Sequence, residues 1–224
     1  MSASAPLPDP ERVIAALTFL WTAPDDAVWQ TSPILESAPQ APAQRYLITV
    51  TRNGDQVGIS RRNVRTSAEF GQHVEQILLN IDEAFRGGGF GTAYWRHCLR
   101  EYAALGLHHV VLTADDDGRL FWARDPVRFD TPDKPRMLLR SMERDGAGRA
   151  EWPAFSAAAA GKGISAEEAT AFARALDEAP EKYSPRELHG TELGQLVLSA
   201  SGWRGVVALN PWSPPAPRRP FGRR

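Results

Sequence analysis

The sequence predicts an α/β domain, on three observations. Arg45 to Arg52 (RYLITVTR) is β-branched and aromatic, Asn53-Gly54 is a strong hairpin signal, and Val57 to Val64 returns as a partner strand. A glycine-rich turn at 86–91 joins a third strand pattern to a long segment of helical periodicity. Beyond that helix, His109 to Ala114 (HVVLTA) has the continuous apolar run of a buried strand.

The elements follow in order. Residues 1–10 are Ser-, Ala- and Pro-rich and read as a frayed start. Asp9 is placed to cap a helix that opens at Pro10 or Glu11 and runs through Trp21, with Val13, Leu17 and Leu20 on one face. Residues 22–44 hold four prolines and no sustained period, so they read as irregular, with one short strand near Val28. Turn signals from Thr66 to Gly71 precede a third strand, His73 to Ile81. The helix after the glycine turn spans about Thr92 to Leu105, with Tyr94, Trp95, Cys98, Leu99, Tyr102 and Leu105 on its apolar stripe and Gly106 closing it. Asp115-Asp116-Asp117-Gly118 leads into a short helix, Arg119 to Arg124, and the three aspartates read as caps and dipole partners. Val127 to Phe129 follows as a strand.

From Thr131 to His189 the chain turns Ala-rich and charged, with helices expected at 135–144, 151–160, 165–178 and 184–189. Ser165 and Glu168 have capping-box spacing. Glu192 to Ser199 adds a helical turn or two, and Trp203 to Leu209 a final strand. The expected organisation is one domain over 1–210, with a helical insertion at about 131–190, and a Pro/Arg-rich tail over 211–224.

With 42% hydrophobic and 24% charged residues in 224, the composition is that of a globular chain with a single well-buried core. A formal charge of −1 gives no global field that would draw nucleic acid or anionic lipid. The single cysteine, Cys98, rules out an internal disulfide and fits a reducing compartment. No apolar run approaches the roughly 20 residues that span a bilayer, and the first residues lack a secretory layout. The expectation is a cytoplasmic protein without a membrane partner; its oligomeric state is left open.

Ile77 through Tyr102 carries the chemistry. A helix N-terminus presents unpaired N–H groups and a partial positive charge, and glycines let an anion approach the backbone closely. Arg86 at the loop entrance is placed for a charge-assisted bond to phosphate. A plain strand-to-helix link has the same composition, and that reading stays open. A nucleotide P-loop does not fit, because no Lys-Ser or Lys-Thr follows, and the dinucleotide fingerprint is not completed at Thr92.

Arg86, Gly89 and Gly91 fill the three fixed positions of [Q/R]-x-x-G-x-[G/A]. That pattern, the strand before it, the helix ending in Leu-Gly-Leu and the strand HHVVLTA resemble the GNAT superfamily of N-acyltransferases over about residues 45–130. FWARDPVRF resembles a W-A-R-x-G-F-x-F variant, with Pro126 and Val127 replacing Gly and Phe. The resemblance implies a mixed, V-split sheet flanked by helices, opening between the strand that ends at Ile81 and the one that begins near His109. It implies acetyl-coenzyme A (acetyl-CoA) as cosubstrate and no metal. Backbone groups of Asn80, Ile81 and Asp82 would pair with pantetheine. Arg86, Gly87, Gly88, Gly89, Phe90 and Gly91 would wrap the diphosphate, with a hydroxyl contact from Thr92, and Trp122 would touch the thioester end. The implied activity is acetyl transfer to a primary amine, a peptide N-terminus among the options. The alternatives are a longer acyl chain, or a non-catalytic GNAT-fold acyl-CoA-binding or adaptor module.

Glu75 is the candidate base, with His73 behind it. Strand parity puts His73, Glu75, Ile77 and Leu79 on one face, polar at its start and apolar at its end, as if running from a wet cleft toward the core. A solvated, fraying strand end is the plainer reading. Where relatives place a tyrosine to protonate the thiolate, this sequence has Trp122, or Phe121 if the register slips by one, and neither is a usable acid. Glu83 reads as solvated or ion-paired, Cys98, Trp95 and Trp203 as packing residues. His108-His109 lacks a third metal ligand. Arg218, Arg219, Arg223 and Arg224 read as a solvated tail or a contact for an acidic partner.

Overall fold

Asp9 caps the first helix: its Oδ1 accepts from the Glu11 N–H at 3.0 Å, and Pro10 supplies a pre-set φ at the first position of helix α1, Pro10–Leu17. In this computed structural model the described residues are 6–38, 41–116, 118–143 and 152–209. The chain divides into two units: Met1–Val74, Leu78–His109 and Ala208–Arg224 form the first, Glu75–Ile77 and Val110–Val207 the second.

The first unit carries strands β1 (Phe19–Thr22), β2 (Val28–Leu35), β3 (Ala43–Arg52), β4 (Asp55–Ser67) and β5 (Gly71–Ile81), side by side in that order, with helix α2 (Phe90–Ala104). The first helix stops at Leu17 and does not reach Trp21 as expected, because Phe19–Thr22 pairs antiparallel with β2, Trp21 opposite Trp29. The Thr31 hydroxyl makes the switch. It donates to the Leu17 carbonyl at 2.8 Å and accepts from the Phe19 N–H at 2.8 Å, so the last turn is satisfied from outside the helix. Residues 22–44, expected to be irregular, hold the eight-residue β2, whose pairing with β3 overrides the prolines.

The β3–β4 hairpin forms as expected, with Asn53 and Gly54 both at positive φ. Tyr46, Ile48 and Val50 are buried at alternate positions and face Arg62, Ser60 and Gly58 across the ladder. Val13 and Leu17 from α1, and Tyr94, Cys98, Leu99 and Tyr102 from α2, are buried as well. The stripe read from sequence is therefore a core face, and the helix begins two residues earlier than expected, at Phe90.

The second unit holds β6 (His109–Ala114), α3 (Gly118–Trp122), β7 (Arg128–Phe129), helices α4 (Lys134–Met142), α5 (Pro153–Ala160), α6 (Ala166–Glu178), α7 (Pro185–His189) and α8 (Glu192–Ser199), and β8 (Trp203–Ala208). Its strands lie in the order β6-β8-β7, with β7 and β8 antiparallel. Helix α3 ends at Trp122, not Arg124. Ser165 accepts from the Glu168 N–H at 3.2 Å, while the reciprocal capping box forms at Ser184 and Glu187. Helices α4 to α7 lie in the stretch expected as an insertion, and α8 forms where a helical turn or two was expected at Glu192 to Ser199. The tail over 211–224, its arginines, and Asp117 of the acidic run lie outside the described residues. Among the described residues no helix is long and apolar enough to cross a membrane.

Candidate functional site

The loop between β5 and α2 is built from both ends. The Asp82 N–H donates to the Val57 carbonyl at 2.9 Å, which closes β5 against β4. A single 3₁₀ turn, Glu83–Phe85, follows, and the Arg86 N–H bonds the Glu83 carbonyl at 3.1 Å. Gly87 at φ +84° and Gly89 at φ +92° then reverse the chain in a conformation that side-chain-bearing residues rarely adopt. The first bond of α2 runs from the Ala93 N–H to the Gly89 carbonyl at 3.0 Å. No described residue accepts a hydrogen bond from the amides of Gly87 through Thr92. Six consecutive donors thus meet no acceptor among the described residues at the positive end of a helix.

Phe90 fixes the helix start. Its ring, 2% exposed, stacks on Trp29 at 4.6 Å and 15° and on Tyr94 at 5.6 Å and 16°. Phe90 therefore offers a ligand only its backbone amide. Arg52 lies over Phe85 at 5.4 Å and over Trp29 at 5.9 Å, and its Nη2 donates to Asp25 at 2.7 Å. The Ala27 N–H, together with the Arg52 guanidinium, holds the Asp25 carboxyl below its usual range.

The expected coenzyme contacts are modified in two places. Arg86 turns back on the strand: its Nε donates to the Ile81 carbonyl at 2.7 Å, and its Nη2 lies 3.4 Å from the Asn80 Oδ1. The Ile81 carbonyl and the Asp82 N–H, both expected to pair with pantetheine, are thus occupied within the fold. Gln56, Gly58, Ile59, Asn80 and Asp82 line a cavity of about 210 Å³ beside the loop. Its floor is closed to side chains, since a Cβ at Gly58 would stand 2.5 Å from the Asn80 carbonyl oxygen.

The proposed base face runs opposite to expectation. His73 is fully buried, its Nδ1 2.9 Å from the Gly71 carbonyl oxygen, while Ile77 is 51% exposed and Leu78 37%. Two consecutive exposed residues break the strand's alternation there, and the Ser60 hydroxyl takes the Leu78 carbonyl at 2.7 Å. Glu75 is half-buried. Trp122, in the second unit, is buried and packs edge-on to Phe121 at 4.7 Å. Burial raises the hydroxyl pKa of Tyr46, Tyr94 and Tyr102, which makes each a weaker acid than an exposed tyrosine.

Sequence reasoning missed Arg62. It is 1% exposed, lies over Tyr94 at 5.0 Å and Tyr102 at 5.8 Å, and no hydrogen bond reaches its guanidinium nitrogens. The available signal was parity, because Arg62 shares its side of β4 with the buried Ser60 and Val64.

Comparison with known families finds one match that contains the loop. The model of the acetyltransferase (GNAT) family matches residues 14–122, just under half of the chain, and the loop lies within that match. The match reaches back into α1, well before residue 45, where the resemblance was drawn from. Among solved structures, Naa50 from Arabidopsis thaliana in complex with the bisubstrate analogue CoA-Ac-MVNAL is 16% identical, covering 38% of this chain and 58% of its own, at a TM-score of 0.33. Ard1 from Thermoplasma volcanium is 19% identical, covering 38% and 57%, at 0.32. N-acetylglutamate synthase from Neisseria gonorrhoeae, complexed with coenzyme A and N-acetyl-glutamate, is 19% identical, covering 44% and 23%, at 0.31. The chain therefore spans less than two thirds of each of these proteins. No curated protein matches it.

Proposed function

We propose that the chain is an N-acyltransferase that takes an acetyl group from acetyl-CoA and passes it to a primary amine. One observation carries the reading: the amides from Gly87 to Thr92 meet no acceptor among the described residues, at the mouth of α2, inside the segment that matches the family. Those amides receive the diphosphate, and Arg86 leaves the Ile81 carbonyl to join them. The thioester arm lies along Asn80–Asp82. The amine nitrogen attacks the thioester carbonyl carbon, a C–N bond forms as the C–S bond breaks, and the coenzyme leaves as a thiolate that takes up a proton. Glu75 is the group we assign to removing the amine proton. A peptide N-terminus is the acceptor we carry forward.

A second reading has its own support. On the sequence resemblance the acid for the thiolate falls at Trp122, which cannot donate a proton, and Tyr46, Tyr94 and Tyr102 are buried. This favours a non-catalytic module that holds acyl-CoA. Calorimetry with acetyl-CoA and coenzyme A tests the loop, and thiol release over a panel of amines and peptides separates the two readings. Release with extended peptides supports the transferase. Binding without release against every acceptor supports the module, and no heat with any thioester refutes both.

A further inference from the structure

We infer that Arg52 receives the 3′-phosphate of coenzyme A and so selects it over the 3′-dephospho form; this rests on the acyl-CoA reading above. Position is the first reason. The loop is bounded by Phe85 before it and Phe90 after it, and Arg52 lies over Phe85 and over the Trp29 ring on which Phe90 stacks. A guanidinium is thus held beside the stretch whose amides meet no acceptor among the described residues. The second reason is donor capacity. Arg52 gives Nη2 to Asp25, and no described residue accepts from its Nε or Nη1. A half-exposed guanidinium fixed along one edge keeps its remaining N–H groups for an incoming anion.

The third reason is the charge on the ligand. Backbone amides are dipoles suited to a diphosphate, whereas coenzyme A carries in addition a phosphomonoester dianion, which calls for a full positive charge. Arg86, assigned above to the diphosphate, starts out bonded to Ile81 and Asn80. Arg52 is the cation already oriented, by two rings and one carboxylate, before any ligand arrives. Asp25 is then a positioning residue.

The test is calorimetry of the full chain with coenzyme A and with 3′-dephospho-coenzyme A. The wild type is expected to bind coenzyme A about tenfold more tightly, the scale of one charge-assisted contact. Arg52→Ala should bring coenzyme A to the dephospho level while leaving dephospho-coenzyme A affinity unchanged. Arg52→Lys should keep part of the preference, and Asp25→Asn should reduce it. Equal wild-type affinities overturn the inference and leave the acyl-CoA reading standing, even if Arg52→Ala fails to fold. A loss of both ligands alike in a folded Arg52→Ala also overturns it, since that is a structural role. No heat with either ligand overturns both readings together.

Discussion

Replacing Gly89 with alanine isolates what the loop's backbone conformation is worth. Space is not the obstacle: an added Cβ would stand 3.7 Å from the Trp21 Cη2, an ordinary contact. Conformation is. At φ +92° an L-residue costs about 1–2 kcal/mol relative to glycine. The same substitution also restricts the unfolded chain, which stabilises by about 0.4–1 kcal/mol and masks part of the strain. Gly88→Ala supplies the correction. A Cβ there meets nothing within 4 Å and Gly88 is not at positive φ, so that variant carries the unfolded-state gain alone. The difference between the two variants, about 1–2 kcal/mol, is the strain. For a chain of this size it corresponds to a Tm gap of roughly 2–8 °C. Should the loop relax instead, stability is spared but the amides turn away and coenzyme A binding weakens. Urea and thermal melts beside calorimetry decide it. If Gly89→Ala matches Gly88→Ala in stability and also binds coenzyme A like the wild type, the account of the loop is wrong.

Phe90→Ala removes a buried ring stacked on Trp29 and Tyr94, and should cost about 3–5 kcal/mol in urea melts together with coenzyme A affinity. Arg62→Met should leave stability unchanged or raise it in thermal melts, since it removes a buried cation whose nitrogens have no hydrogen bond; Arg62→Ala should lower it by leaving a cavity. Burial depresses the His97 pKa below the ordinary 6.5, so the unfolded chain takes up the proton first. That contribution to stability is present above about pH 6.5 and falls as pH drops through the window below it; His97→Gln should flatten this part of a melt-versus-pH profile. Glu75→Gln should lower kcat/KM by about 10²–10⁴, and an unchanged kcat/KM would remove Glu75 from the proposed mechanism.

The fold was legible wherever local signals agreed with tertiary packing. The Asn53-Gly54 hairpin, the α2 stripe and HVVLTA each carry a strong period or turn signal, and each forms as read. The N-terminal strands were not legible. Phe19–Thr22 continues a helical apolar face, and only the hydroxyl of Thr31, twelve residues on, diverts it into a sheet. Proline composition concealed β2, whose pairing with β3 is a non-local fact. At the site, the glycine loop was visible because its chemistry lies in consecutive residues. Arg52, Trp29 and Asp25 were not, because they reach it from other strands and turns. The face of His73 and Ile77 was misread because strict alternation fails in the middle of β5, where two neighbouring residues are exposed.

Trp21 has a practical use. Its half-exposed indole sits beside Gly89, and the neighbouring indole of Trp29 is sealed under Phe90. The loop therefore carries its own optical reporter on one side and a shielded reference on the other. Any occupant of the glycine bend must alter the solvent around the first indole and leave the second dark to quenchers, so emission from a Trp21→Phe variant subtracted from the native signal would time the arrival of a ligand without a label.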